Sequence, residues 1–381
     1  MQFSKEHDAF RAMLREFVAH EINPHVDKWE ADGDIPLHEL FKKLGDLGVL
    51  GVEFDPAYGG QGADHLYMMI AAEELGRCAS GGVSMAIGVQ MMMATPSLQK
   101  YGTHELKKKY LEPALRGDVV TSIAVTEPGA GSDVASLKTK AVKDGDDWVI
   151  NGSKIFITNG TQADWMCLLA RTSDEGGYRG MSQIVIDTKA EGFSVARKLD
   201  KLGMRSSDTA ELRFDDMRVP ISNTIGEEGR GFQQQMGQFI VERMFACYGK
   251  VGSMQDALDR TRDYLRIRVV NGKPLIANQY IAFKLTELSA QVDMLRVYNL
   301  KMAEDYMAGK DTTRQATIGK LQVGRLSREV ADLCLQYHGG MGYMEENWTS
   351  RFFRDGRLTS IGGGADEVML QVLSKLDGFT P

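Results

Sequence analysis

The sequence predicts an α+β protein: an N-terminal helical domain, a central small antiparallel β-sheet or β-barrel domain, and a C-terminal four-helix bundle. Two observations predict this class. Apolar residues recur at helical spacing in 1–120 and 226–381. Residues 121–225 instead carry short β-branched runs separated by turn residues. A chain of 381 residues is long enough for two or three units. We therefore expect domains at 1–120, 121–225 and 226–381.

The N-terminal part contains four amphipathic stretches that predict helices. The first covers 10–18 and is expected to stop at Pro24, because proline has no N–H for a helical hydrogen bond. The others cover 37–50, 66–75 and 83–98. A glycine-rich segment at 59–62 predicts a loop between them.

The central part contains several strand-like runs at regular spacing. They cover 119–125, 148–152, 154–160, 165–170, 182–187 and 210–214. The Asn-Gly pairs at 151–152 and 159–160 predict tight turns after two of them. Short strands without intervening helices favour antiparallel pairing.

The C-terminal part returns to helical periodicity. Its longest apolar stripe covers 232–265, and further helices are expected at 281–307, 317–337 and 367–376. Long helices with short links predict an antiparallel bundle.

Composition excludes several classes of protein. The net charge of −7 argues against nucleic acid or an anionic membrane as the main partner. Four widely spaced cysteines without a CxxC motif indicate reduced thiols. No apolar run is long enough to span a membrane, and the N-terminus carries no targeting pattern. We therefore expect a cytoplasmic protein.

Three common catalytic or binding motifs are absent or incomplete. The glycine-rich segment at 129–134 has Val134 where a dinucleotide-binding motif needs its third glycine, and more strands follow it. His20 and His25 lie five residues apart across Pro24, which is not the spacing of a helical zinc pair. We expect no metal site, and no Gly-x-Ser-x-Gly motif indicates a nucleophilic serine.

Five groups of motifs, in register along essentially the whole chain, resemble those of the acyl-CoA dehydrogenase family. They lie at 126–133, 150–160, 201–209, 226–232 and 336–355. The resemblance implies an FAD enzyme that dehydrogenates an acyl-CoA thioester between Cα and Cβ. A base removes the α-proton, flavin N5 takes the β-hydride, and electrons pass to electron-transferring flavoprotein.

The resemblance also indicates where the base lies. The glutamate that many members carry before the last helix is replaced here by Gly363, and the aromatic residue beside it by Gly362. Isovaleryl-CoA and long-chain members instead place the base on the long helix in a Glu-Arg pair. That pair corresponds to Glu242 and Arg243 in this sequence.

The helical pattern around Glu242 is consistent with a buried carboxylate. Phe239, Phe245, Ala246 and Gly249 share its helical face. Desolvation there would raise the pKa of the carboxyl group toward neutrality, which suits a base. From position alone, a structural pair with Arg243 is the alternative.

The resemblance gives Gly363 a second role. Its backbone N–H would polarise the thioester carbonyl together with a ribityl hydroxyl of FAD. The alternative is that the glycines only form a turn before a helix capped near Asp366. Both can hold together.

The resemblance further assigns cofactor contacts. Thr126, Phe156 and Thr158 would contact the flavin, and Ser132 the flavin and the pantetheine. An ordinary buried strand is the alternative for Phe156 and Thr158.

Other FAD contacts are implied across a subunit interface. They correspond to Arg268, Gln336, Gly340, Ala365 and Glu367, although Ala365 and Glu367 differ from the usual residue types. Asn271 replaces a phenylalanine. Contacts of this kind imply an oligomer, usually a homotetramer built as a dimer of dimers.

Substrate contacts are expected from Ser132, Arg243, Met92 and Gly362. Two small glycines and a methionine-rich helix predict a roomy, deformable apolar pocket. The segments at 21–30 and 360–370 are also similar to those of bacterial citronellyl-CoA dehydrogenases, so a branched or long acyl-CoA is expected. An acyl-CoA oxidase and a DNA-damage-response flavoprotein of the same fold are the alternative functions.

Overall fold

The computed structural model describes residues 3–380, and its N-terminal part is helical. The helices are α1 (Lys5–Phe17), α2 (Val26–Asp32), α3 (Leu37–Asp46), α4 (His65–Gly76), α5 (Gly81–Gly88), α6 (Pro96–Tyr101), α7 (His104–Leu106) and α8 (Glu112–Leu115). Short π-helical segments follow α1, α5 and α7. The segment at 59–62 is a loop, as expected.

The chain does not leave helical geometry at Pro24, contrary to the sequence prediction. A π-helical segment (Val18–Ile22) and a 3₁₀ turn (Asn23–His25) lead directly into α2. Pro24 lies in the first turn of the 3₁₀ segment, where a missing N–H leaves few hydrogen bonds unmade. Proline therefore changes the type of helix here without ending it.

The central part forms an eight-stranded sheet. Its strands are β1 (Thr121–Ala124), β2 (Lys140–Asp144), β3 (Asp147–Thr158), β4 (Trp165–Arg171), β5 (Met181–Asp187), β6 (Phe193–Lys198), β7 (Thr209–Pro220) and β8 (Thr224–Ile225). The order is β6-β7-β3-β2-β4-β5-β8, and β1 pairs with β4. The segment at 129–134 leads into a short 3₁₀ turn and then β2, so no crossover helix follows it.

Two features of the sheet differ from the prediction. Strand β4 pairs in parallel with β1 and, at one bridge, with β2, so the sheet is mixed. The expected turn at Asn151-Gly152 lies inside β3, where the register shifts between Ile150 and Gly152. Asn151 is held there by Asp216, whose carboxylate accepts from its amide at 2.8 Å. A bulge rather than a turn therefore accommodates the glycine.

The C-terminal part is a bundle of long helices. It comprises α9 (Gly231–Ile267), α10 (Gln279–Met307), α11 (Thr313–His338), α12 (Trp348–Gly356) and α13 (Asp366–Leu376), with the short strands β9 (Val269–Val270) and β10 (Lys273–Pro274) after α9. Four of these helices match the expected ones, and α12 is additional. Among residues 3–380, no helix combines the length and the hydropathy that crossing a bilayer requires.

Helices α4 and α9 approach each other closely at glycines. A Cβ atom on Gly252 would lie 2.1 Å from the carbonyl oxygen of Glu73, and one on Gly76 would lie 2.1 Å from that of Gly249. Only hydrogen fits at these contacts. The close approach fixes α9, the helix of the predicted base, against the N-terminal helices.

Candidate active site

Glu242 lies in the fourth turn of α9, in the wall of a cleft between α5, α9 and α12. Its side chain is buried, with the residue only 8% exposed. The cleft encloses about 900 Å³ of empty space, including its mouth. We call it the Glu242 cleft; residues that line it include Cys78, Ser84, Met85, Gly88, Met93, Phe245, Ala246, Gly249, Trp348 and Phe352.

The electrostatics of Glu242 agree with the sequence analysis. Burial raises the pKa of its carboxyl group to about 7, because the charged form loses its hydration. A hydrogen bond from Gln238 and the charge of Arg243 oppose this rise. Within residues 3–380, the carboxylate forms no ion pair. Glu242 can therefore exchange a proton near neutral pH.

Gln238 positions the carboxylate, and the sequence analysis missed it. Its Nε2 donates to Oε1 of Glu242 at 2.9 Å and also to the carbonyl oxygen of Met93. Its Oε1 accepts from Oγ of Ser97 at 2.6 Å and from the backbone N–H of Ser97 at 3.2 Å. Because a backbone N–H can only donate, this contact fixes the amide orientation. The available signal was the spacing of four residues on one helix face.

The glycine loop 362–364 lies beside α9. The position that a Cβ atom on Gly364 would occupy is 3.8 Å from the guanidinium of Arg243. Gly363 has φ of +66°, a conformation that favours glycine. Lys320 of α11 donates from Nζ to the carbonyl oxygens of Thr359 at 2.5 Å and Gly364 at 3.0 Å. Lys320 therefore ties Gly364 to the 3₁₀ segment that precedes the loop, next to the helix that carries Glu242.

The central sheet presents an aromatic ring to its surroundings. Phe156 in β3 is 67% exposed and has φ of +62°, within a register shift between Lys154 and Ile157. A large exposed aromatic side chain in this backbone conformation is uncommon. The adjacent N–H of Ile155 donates to the carbonyl oxygen of Thr126 at 2.9 Å. The expected flavin contacts Thr126 and Phe156 therefore lie side by side.

The other two expected flavin contacts are Thr158 and Ser132. Thr158 is half-buried, and its carbonyl oxygen accepts from Oγ of Ser122 at 2.6 Å. Ser132 is exposed in the loop after Thr126. The exposure of Phe156 speaks against the ordinary buried strand as its role.

A buried ion pair supports the loop that holds Thr126 and Ser132. Nζ of Lys154 donates to Oε1 of Glu127 at 3.0 Å and to the carbonyl oxygen of Val125 at 2.8 Å. Glu127 also accepts from the backbone N–H of Thr139 at 2.9 Å. Burial lowers the pKa of Lys154 to about 8, while the field of Glu127 opposes the change. No pattern in the sequence indicates this pair.

Among the other expected cofactor residues, Arg268 lies far from Glu242 along the chain of α9. Arg268 follows α9 and lies 26 residues beyond Glu242, or about 39 Å at the rise of a helix. The group lies largely on the surface: Arg268, Gln336, Gly340 and Glu367 are exposed, and Ala365 is half-buried. These residues are accessible to a second chain.

None of the four expected substrate residues, Ser132, Arg243, Met92 and Gly362, lines the Glu242 cleft. Met92 is buried and lines a neighbouring cavity with Gln238 and Val241. Gly362 is half-buried, and a Cβ atom there would lie 3.4 Å from Leu358. Of the methionines at positions 85, 91, 92 and 93, Met85 and Met93 line the cleft.

The three parts of the chain each match a known protein domain, in the same order along the sequence. Models of the N-terminal, middle and C-terminal domains of acyl-CoA dehydrogenase match residues 4–118, 122–217 and 229–376. The chain is 35% identical to the probable acyl-CoA dehydrogenase YngJ of Bacillus subtilis over 98% of both chains. It belongs to the acyl-CoA dehydrogenase family.

Further similarities support this membership. An acyl-CoA dehydrogenase family relative, the mitochondrial isovaleryl-CoA dehydrogenase of Solanum tuberosum, is 35% identical over 98% of this chain and 90% of that one. The solved structure of a probable acyl-CoA dehydrogenase from Mycobacterium abscessus superposes with a TM-score of 0.95 at 39% identity, covering 98% and 99% of the two chains. Acyl-CoA dehydrogenases are FAD-dependent flavoproteins. The predicted family, fold class, enzyme class and cofactor are therefore confirmed.

Proposed function

We propose that this chain dehydrogenates an acyl-CoA to the trans-2-enoyl-CoA, with Glu242 as the base that removes the α-proton. The observation that carries this is a buried carboxylate, with a pKa of about 7, in the wall of a mainly apolar cleft. A base of this pKa is deprotonated in a useful fraction at neutral pH. Gln238 holds the carboxylate in a fixed orientation.

The thioester carbonyl would be polarised by the backbone N–H of Gly363. The positive φ of Gly363 and the clamp by Lys320 support a fixed N–H direction. A fixed donor near the carbonyl oxygen stabilises the enolate that forms when the α-proton leaves. Arg243 lies against the same loop and is proposed to contact the substrate there.

The residues of the central sheet fit an FAD site. When bound, FAD supplies the acceptor for the hydride that leaves Cβ. The exposed ring of Phe156 offers a flat apolar surface for an isoalloxazine ring, and Thr126 and Thr158 flank it in the same part of the sheet. Ser132 is proposed to reach both the flavin and the pantetheine.

The exposed cofactor residues support an oligomer. Because Arg268 lies about 39 Å along the helix from Glu242, we propose that it serves the FAD of a neighbouring subunit in a homotetramer. The surface residues Gln336, Gly340, Ala365 and Glu367 are proposed for similar contacts. Electron-transferring flavoprotein is the proposed acceptor of the electrons. The domain bounds at 1–120, 121–225 and 226–381 stay predictions, as does the cytoplasmic location.

For the acyl group we propose a branched or long chain, and citronellyl-CoA, which the sequence suggests, is one candidate to be compared with others. Support comes from the apolar start of the cleft, formed by Met85, Met93 and Phe245. Flexible methionine side chains adapt to irregular ligands. Met92 and Gly362 do not line the cleft, so they would influence the substrate only indirectly, through the residues that do.

Anaerobic titration of the purified flavoprotein with a panel of acyl-CoA thioesters tests the proposal. We expect bleaching of the flavin absorbance, and a loss of about 10³-fold or more in its rate in Glu242→Gln with FAD retained. Glu191→Gln, in the exposed turn before β6, is the matched control and should leave the rate unchanged. Near-normal bleaching in Glu242→Gln would sink the assignment of the base.

The same preparation separates the alternative functions. Slow reoxidation in air supports a dehydrogenase, whereas rapid reoxidation with peroxide release indicates an oxidase. A gel shift of DNA that persists at moderate salt would instead indicate a DNA-binding flavoprotein.

A further inference from the structure

The Glu242 cleft continues along α9 and changes character as it leaves the carboxylate. Its walls near Glu242 are apolar, with contributions from Met85, Met93 and Phe245. Beyond Gly249 the lining becomes charged. The charged residues at this far end are Arg77, Lys250, Asp256, Arg260 and Asp355. An acyl chain that fills the cleft would therefore meet charged groups at its end.

Two of the three cations at the far end are compensated by protein groups. Arg260 lies 3.7 Å from Asp256, and its guanidinium carbon is 4.1 Å from the centre of the Trp348 ring. Nε of Arg77 lies 3.6 Å from a carboxylate oxygen of Glu74. These contacts reduce the cost of burying each charge.

Both oxygens of the Asp355 carboxylate accept hydrogen bonds from backbone N–H groups. Its Oδ2 accepts from the N–H of Gly81 at 2.9 Å, and its Oδ1 accepts from the N–H of Met204. These bonds join α12 to the first residue of α5 and to the loop between β6 and β7. Asp355 and Lys250 influence each other electrostatically, but their charged atoms do not come within 4.0 Å.

Lys250 is the charge without a partner. Among residues 3–380, its ammonium forms no hydrogen bond and no ion pair, although it is half-buried in the wall of the cleft. Burial lowers the pKa of Lys250, and the charge of Asp355 opposes this change. An ammonium with three unused donors in an enclosed site is costly unless a ligand supplies acceptors. Since Arg77 is paired with Glu74 and Arg260 with Asp256, Lys250 is the cation of the far end that has no ion pair among the described residues.

We propose that Lys250 binds a carboxylate at the far end of the acyl chain, so that the preferred substrate is the CoA thioester of a dicarboxylic acid. This rests on the dehydrogenation proposed above. Lys250 lies eight residues from Glu242 on the same side of α9, about 12 Å along the helix axis. The lysine side chain covers part of this distance of about 12 Å. The substrate chain between its two carboxyl carbons must span the remainder. A hydrocarbon-ended substrate such as citronellyl-CoA would leave the ammonium unpaired.

Paired thioesters test the inference. Each pair has the same chain length and ends either in a methyl group or in a carboxylate, and citronellyl-CoA is included. We expect kcat/KM to favour the carboxylate-ended member by about tenfold or more in the wild type. Lys250→Met should abolish this preference while retaining turnover of the methyl-ended member. Lys189→Met removes a lysine from an exposed loop of the central part and should leave the ratio unchanged.

A binding measurement separates this inference from the proposed function. Dissociation constants for the same pairs are measured in Glu242→Gln and in Glu242→Gln combined with Lys250→Gln, where turnover is not required. Preference for the carboxylate-ended member that depends on Lys250 supports the inference. It is overturned when the wild type prefers methyl-ended thioesters or citronellyl-CoA, or when Lys250 variants weaken both members equally. If no thioester bleaches the wild-type flavin, the proposed function fails instead.

Discussion

Protonation of the buried Glu242 carboxylate should affect the stability of the protein and, on the proposed mechanism, its activity. Burial raises its pKa from 4.5 to about 7, so the folded protein favours the protonated form below neutral pH. The stabilising effect of this proton is complete below about pH 4.5 and is lost as pH rises through about 7. Activity should move in the opposite direction, because only the deprotonated form is a base.

Denaturant unfolding of wild type and Glu242→Gln at pH 5 and pH 8 measures this coupling. We expect the variant to gain stability over the wild type by up to about 3 kcal/mol between the two pH values, since one pKa unit corresponds to about 1.4 kcal/mol. Glu191→Gln, in the exposed turn before β6, should show no such gain. A difference between wild type and Glu242→Gln that does not depend on pH would contradict the raised pKa.

Individual site residues were predictable only where a helical face or a motif carried the signal. The burial of Glu242 follows from its neighbours on α9, and the structure agrees. The sequence did not indicate that Lys250 is enclosed, because a lysine on a helix usually faces water. Only the cleft that α5, α9 and α12 form together shows that this lysine is enclosed. The exposure of Phe156 likewise depends on a register shift that no local pattern announces.

Among whole elements, the contact between α4 and α9 depends on glycine. We expect Gly252→Ala to lower the free energy of unfolding by about 3 kcal/mol, because its Cβ would lie 2.1 Å from the carbonyl oxygen of Glu73. Gly237→Ala is the matched control on the same helix, since nothing lies within 4 Å of its Cβ position. That change should be neutral or stabilise by up to about 1 kcal/mol. Equal effects in denaturant unfolding would argue against the close approach.

Long helices were predictable and short or paired elements were not. The apolar stripe at 232–265 extends over many turns, and α9 follows it closely. Helix α12 has only nine residues, which is too short for a clear period. Asn151-Gly152 has turn chemistry, yet pairing of β3 with β7 on both sides overrides it. The parallel pairing of β1 with β4 depends on which strands meet, which local sequence does not encode.

The surface of the whole molecule favours association. Tyr280, Phe283, Met294 and Val297 of α10 are each more than 60% exposed and share one face of the helix. An apolar stripe of this length is uncommon on a monomer. It supports the homotetramer proposed from the cofactor residues.

Sedimentation of the FAD-loaded protein measures the oligomeric state. We expect four times the mass of one chain, and a smaller species when Phe283→Asp and Val297→Asp are combined, because charge would be buried at the interface. Val142→Asp changes an equally exposed apolar residue in β2 and should leave the mass unaltered. A monomeric wild type would disprove the tetramer, and a tetrameric double variant would place its interface elsewhere.

Helix α9 is uninterrupted from Gly231 to Ile267, so it acts as a ruler graduated in steps of about 1.5 Å. The distance along this helix from Glu242 to Lys250 would set the length of the dicarboxylic chain that the cleft accepts. Ala246 and Ser253 line the same cleft about one turn to either side of Lys250. Moving the lysine to either position would reset the ruler, so that one scaffold could select shorter or longer dicarboxylic chains without changing its chemistry.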